Sequence, residues 1–124
     1  MLVDPSGDLE GGDELLAEIY REFRDGLPAR LEAVRVALEA LAEGYDSEAA
    51  ESFYRTAHSL KGTAPAFGAH GLVAPATALA DVGRRWFEQG ELDAAEASAA
   101  FEELERLRIE VERYSAEAEG EAAG

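Results

Sequence analysis

The sequence predicts an all-α fold: an up-and-down antiparallel four-helix bundle with an additional N-terminal helix. Three observations carry that prediction. Apolar residues recur at three-and-four spacing along most of the chain, the period of helices that bury one seam. No run of alternating β-branched residues reads as a strand. The breaks between periodic segments are short and hold Gly, Pro or Asp, so successive helices become antiparallel neighbours. The 124 residues suit one domain. A chain of this size buries roughly two-thirds of its unfolded surface, enough for one core without staples. No internal repeat is visible.

Residues 1–12 hold Pro5 and three glycines among acidic residues and read as a disordered leader. Asp13 can cap the first helix. The stripe that follows is Leu16, Ile19, Phe23, Leu27, Leu31, Val34, Leu38 and Leu41. Gly26 and Pro28 interrupt it, because proline lacks a backbone donor and clashes with the preceding turn. The reading is one helix over 14–26 and another over 28–43. Gly44 closes the second, and Asp46 or Ser47 caps the third. Phe53, Ala57, Leu60, Ala64 and Phe67 form the buried stripe of the third helix. Pro65 should end or bend it, and Gly68 then turns the chain. The fourth helix buries Leu72, Ala76, Leu79, Gly83 and Trp86, tolerates Pro75 near its first turn, and ends at Gly90. Asp93 with Glu96 predicts a capping box for the fifth helix, whose stripe is Ala97, Phe101, Leu104, Leu107, Val111 and Tyr114. The bundle spans 13–115, and 116–124 read as a frayed acidic tail.

Composition excludes several functions. The net charge is −16, with 27 acidic residues against 11 basic ones. A phosphate-backbone binder needs clustered Lys and Arg, so nucleic acid is an unfavourable partner, and a membrane surface is disfavoured for the same reason. With no cysteine there is neither a disulfide nor a thiolate metal site. No apolar run approaches the ~20 residues of a membrane span, and no secretory leader is evident. The expectation is a cytoplasmic protein. Two histidines make a poor metal site, so His70 reads as a surface or capping residue and no cofactor is expected.

The informative stretch is Thr56 to Gly68, T-A-H-S-L-K-G-T-A-P-A-F-G. On a helical wheel His58 lies roughly 135° from the centre of the buried stripe and faces water. Gly62 and Pro65 share its side, while Lys61 and Tyr54 flank it toward the core edge. A neutral imidazole is a nucleophile, and that form is well populated at cell pH. Lys61, three residues on, reaches the same patch and would stabilise an added phosphoryl group. Gly62 removes a side chain beside the imidazole at a cost of ~1 kcal/mol relative to alanine. That cost at that place suggests that something must approach closely. Taken singly, an exposed histidine, a helical lysine and a helical glycine are ordinary surface features; their fixed spacing on one face distinguishes them.

H-S-L-K-G, followed by Gly68 ten residues after the histidine, resembles the histidine-phosphotransfer (HPt) domain of multistep two-component phosphorelays. The N-terminal phosphotransfer domain of chemotaxis histidine kinases shares the pattern. The motif covers about eleven residues, and the helix pattern matches over roughly 13–115. The resemblance implies a four-helix bundle with His58 as phosphoacceptor, Lys61 as the phosphate-side lysine and Gly62 as the small residue that clears the docking surface. Phe67 and Gly68 match the hydrophobic-Gly end of the motif. Pro65 stands where the family usually has a small residue. Many members carry a Gln, Glu or His on the next helix that hydrogen-bonds the imidazole; here the closest positions are Thr77 and Ala80, with Asp81 adjacent, and Ala80 cannot make such a bond. Partner contacts are expected at Tyr54, Pro65, Gly68, Arg84 and Arg85. The implied partners are receiver domains and a histidine kinase, with Mg²⁺ held by the receiver. The carrier is then a monomeric protein substrate and not an enzyme. Two alternatives remain. The chain can be the phosphotransfer module of a chemotaxis-type kinase, although nothing after Ser115 reads as a linker to a further domain. It can also be a non-catalytic helical adaptor.

Overall fold

The computed structural model describes residues 5–123, and the side chains of residues 12–120. Four α-helices follow one another: α1 (Pro5–Glu43), α2 (Ser47–Thr63), α3 (Val73–Gln89) and α4 (Ala94–Ala123). Two 3₁₀ turns, Ala64–Phe67 and His70–Leu72, join α2 to α3. Among the described residues there is no strand. The helices pack in a ring in which α1 touches α2 and α4, and α3 touches α2 and α4.

Side-chain contacts give the directions. Phe23, in the N-terminal half of α1, stacks on Phe67 just beyond the end of α2 and meets Tyr114 late in α4. Phe53, early in α2, stacks on Trp86 late in α3, with ring centroids 5.6 Å apart. Trp86 Nε1 donates to Glu96, early in α4, at 3.2 Å. Each sequential pair is therefore antiparallel, and so is the closing pair of α1 and α4. The core these helices share is wholly apolar among the described residues, with Trp86, Phe53 and a set of leucines at its centre.

One expectation is corrected at Gly26 and Pro28. In place of two helices there is one, with Pro28 inside α1. The additional N-terminal helix is thus the first part of the bundle's own α1. An interior proline costs ~3 kcal/mol. Breaking the helix would take Phe23 and Leu27 out of line with Leu31 and Val34, and burying each large apolar side chain contributes roughly 1.5–3 kcal/mol. The continuous seam outweighs the proline. Pro28 is exposed, so the Arg24 carbonyl that loses its partner can turn to water.

The seams differ from expectation at their ends. Leu16 and Ile19 are exposed, at 54% and 39%, at the end of the bundle where a hollow opens between α1 and α4. Phe101 is also exposed, and Ala97, Ala100 and Leu104 form the buried seam there. Residues 1–4 of the expected leader lie outside the described residues, and α1 already begins at Pro5. At the other end α4 continues to Ala123 through a segment rich in Ala and Glu, both strong helix formers.

Asp13 lies inside α1 and does not cap it, because the helix begins at Pro5; the later caps follow the sequence. Asp46, in extended backbone, accepts from the Ala49 amide at 3.0 Å and starts α2. Gly90, at φ 75°, ends α3. Asp93 accepts from the Glu96 amide at 3.0 Å, which is half of the expected capping box. The Glu96 carboxylate turns away from the other half, toward Trp86 and Arg85.

Candidate functional site

The outward face of α2 carries the site. Asp46 fixes where α2 begins, and Phe53, Ala57 and Leu60 turn one side of it into the core. That choice of buried side sends His58 and Gly62 outward, and both are exposed. Tyr54 and Lys61 are half-buried at the edge, as the wheel predicts. Arg55 is exposed and paired with Glu51 at 2.9 Å. The site is therefore an exposed helix face and not a cleft. A hollow of about 550 Å³ lies at the end of the bundle between α1 and α4, and His58 does not line it.

The His58 imidazole makes no hydrogen bond to any described residue. The imidazole faces the Tyr54 ring, with centroids 5.7 Å apart and planes tilted by 43°. On α3, Ala80 is buried at 2% exposure and offers no polar atom. Thr77 is half-buried and Asp81 exposed, and neither bonds the ring.

Gly62 stands in open space, because a Cβ built on it meets nothing within 4 Å. No packing inside the chain requires this glycine. Gly83 on α3 is the opposite case. A Cβ there would lie 2.7 Å from Phe53 Cδ1 and 3.2 Å from Tyr54 Cα. The missing side chain lets α3 press directly against α2 one turn before His58. The periodic pattern marks Gly83 as buried but does not reveal its second role, which is to hold the Tyr54 backbone.

The end of the motif serves the fold. Pro65 is exposed on the 3₁₀ turn that follows α2. Phe67 turns inward, edge-on to Tyr20 and stacked on Phe23. Tyr114 Oη donates to the Phe67 carbonyl at 2.8 Å. Gly68 sits at φ 70° and its amide bonds the Pro65 carbonyl at 3.1 Å, a left-handed turn that favours glycine. These aromatic anchors come from α1, α4 and the 3₁₀ turn after α2; apolar spacing marks Phe23, Phe67 and Tyr114 in the sequence but not Tyr20.

The remaining candidates separate. Arg84 is exposed on α3 and, with Lys61, is among the cations that no described carboxylate engages. Arg85 is turned to α4, where its guanidinium pairs with Glu96, so it is not brought to His58. His70 is exposed at the second 3₁₀ turn. Among the described residues no group of three His, Asp or Glu side chains could hold a metal ion, and no helix is long and apolar enough to cross a membrane.

Comparison with known proteins gives one match. The model of the family described as Hpt domain fits residues 18–117, most of the chain. No curated protein and no solved structure matches it.

Proposed function

The chain belongs to the Hpt domain family, and from that membership we propose that it relays phosphoryl groups between receiver-domain aspartates through a phosphohistidine at His58. Hpt domains are phosphocarrier modules of two-component phosphorelays and work with receiver domains and kinases. The observation that best supports His58 as the acceptor is its exposure one turn before Gly62, where open space replaces a side chain that the bundle has room for.

The chemistry needs little from this chain. A receiver presents the acyl phosphate of its aspartate to the exposed imidazole. The lone pair of the unprotonated ring nitrogen forms an N–P bond while the P–O bond to the aspartate breaks, and the carboxylate leaves in line. The proton on the other ring nitrogen stays with the ring. Transfer to a second receiver reverses these steps. Positioning and electrostatics dominate such transfers, and the receiver supplies the Mg²⁺. Lys61, at the edge of the same face, offsets the charge of the phosphoryl oxygens. Gly62 and Pro65 leave room for the receiver, and Arg84 meets it from α3. Arg85 is already engaged by Glu96, and Gly68 contributes by turning the chain. The carrier is assigned to the cytoplasm as a monomer.

The test is incubation with a labelled phospho-receiver or kinase, comparing wild type with His58→Gln. The expected label is acid-labile and alkali-stable, and it is absent from the variant. No label from several competent donors, or label retained by His58→Gln, would sink the assignment. Lys61→Ala should slow transfer with helicity intact; a loss of helicity instead would make Lys61 structural.

A further inference from the structure

We propose that Tyr54 is the positioning residue of His58, standing in for the hydrogen-bond partner that α3 does not provide. The proposal rests on His58 being the phosphoacceptor and adds what aims its ring. An exposed imidazole with no hydrogen bond rotates freely about two torsions, and only part of that range presents a nitrogen outward. Something must narrow the range, and α3 does not: the Ala80 side chain has no polar atom, and neither Thr77 nor Asp81 bonds the ring.

Three observations point to Tyr54. Long side chains on a helix lean toward its N-terminus, over the residue four positions earlier. For His58 that residue is Tyr54, and the rings lie 5.7 Å apart at a 43° tilt, within the range of favourable aromatic contacts. Second, Tyr54 is itself held. Gly83 brings the α3 backbone so close that an added Cβ would sit 3.2 Å from Tyr54 Cα, so the platform under the ring cannot drift. Third, the Tyr54 hydroxyl bonds no described residue, so no hydrogen bond within the bundle draws the ring away from His58. A half-buried ring on a fixed backbone limits an imidazole by contact, where other members of such sites would use a hydrogen bond. Tyr54 then serves the histidine and not the docking partner.

The two roles separate kinetically. A docking contact contributes to KM; a positioning contact contributes to the first-order transfer step. Aromatic pairs of this geometry favour one arrangement by roughly three- to tenfold. The test compares Tyr54→Phe, Tyr54→Leu and Tyr54→Ala. In the free protein, NMR of the His58 ring protons reads ring-current shifts and side-chain averaging. With a phospho-receiver, single-turnover kinetics separate the transfer step from binding. Tyr54→Leu keeps apolar bulk and guards against a packing defect in Tyr54→Ala. Removing the ring should abolish the His58 ring-current shift and slow the transfer step about three- to tenfold, with apparent receiver affinity little changed. Tyr54→Phe should restore both. Unchanged His58 signals, or a transfer step as fast in Tyr54→Leu as in wild type with only KM raised, would overturn the proposal. Failure of the phosphoacceptor assignment shows separately, as label that does not depend on His58.

Discussion

Pro28→Ala tests the continuity of α1 directly. Pro28 lies inside the helix, removes one amide donor and leaves the Arg24 carbonyl without its helical partner. Alanine restores both. The interior penalty of proline against alanine is ~3 kcal/mol. Against it stands the lost restriction of the unfolded chain, ~0.4–1 kcal/mol. Little packing is lost, because Pro28 is exposed. The expected net gain is about 2 kcal/mol. For a domain of this size that raises Tm by roughly 5–10 °C. It also moves the urea midpoint by about 1 M at an m-value near 2 kcal/mol/M. Urea titration followed by circular dichroism measures the gain. A midpoint that stays put or falls would refute the reasoning, since it would mean that the chain breaks between Gly26 and Pro28 and has no helical bond to recover.

Gly68→Ala places a side chain at φ 70° where an added Cβ meets nothing, so its cost is backbone strain alone, ~1–2 kcal/mol in a denaturant titration; no measurable loss would mean that the left-handed turn is not held in solution. Hydrogen bonds from Arg35 and Arg108 hold the Glu32 and Glu105 carboxyls below the usual carboxylate range. Carboxyls lowered on folding stabilise above their unfolded value, and that stabilisation is lost as pH falls through the lowered values. The double variant Arg35→Gln with Arg108→Gln should therefore flatten the acid limb of the stability profile, and an unchanged limb would show that these clamps do not form in solution.

Much of this fold was legible because one physical rule governs most of it. A 3.6-residue apolar period names the buried face, and Phe53, Ala57, Leu60, Leu79 and Trp86 lie where that period puts them. The rule failed where its premise failed. Leu16 and Ile19 continue the period of α1 but stand exposed, and periodicity says which face is apolar, not how well a partner covers it. Pro28 was misread for a related reason. Local propensity opposed a helix there, and the gain from a continuous seam, which depends on tertiary contacts, outweighed it. Glu96 shows the same contest on a smaller scale. Its carboxylate had a local partner available in the capping box and took Trp86 and Arg85 from the neighbouring helix instead.

The two glycines beside the site show why geometry adds to what spacing offers. Gly62 and Gly83 are both inside helices, and each costs roughly 1 kcal/mol relative to alanine. In sequence they carry equal weight. In the fold Gly83 is explained from within, because Phe53 and the Tyr54 backbone occupy the space its side chain would need. Gly62 is not, because beyond its own turn of helix no described residue comes within 4 Å of where its Cβ would stand. A glycine required by internal packing says something about the fold, while one kept at a cost beside open space says something about a visitor. On the proposal that His58 is the phosphoacceptor and Tyr54 positions it, the pair would divide the work: Gly62 would keep the approach open from outside, and Gly83 would hold Tyr54 steady from behind.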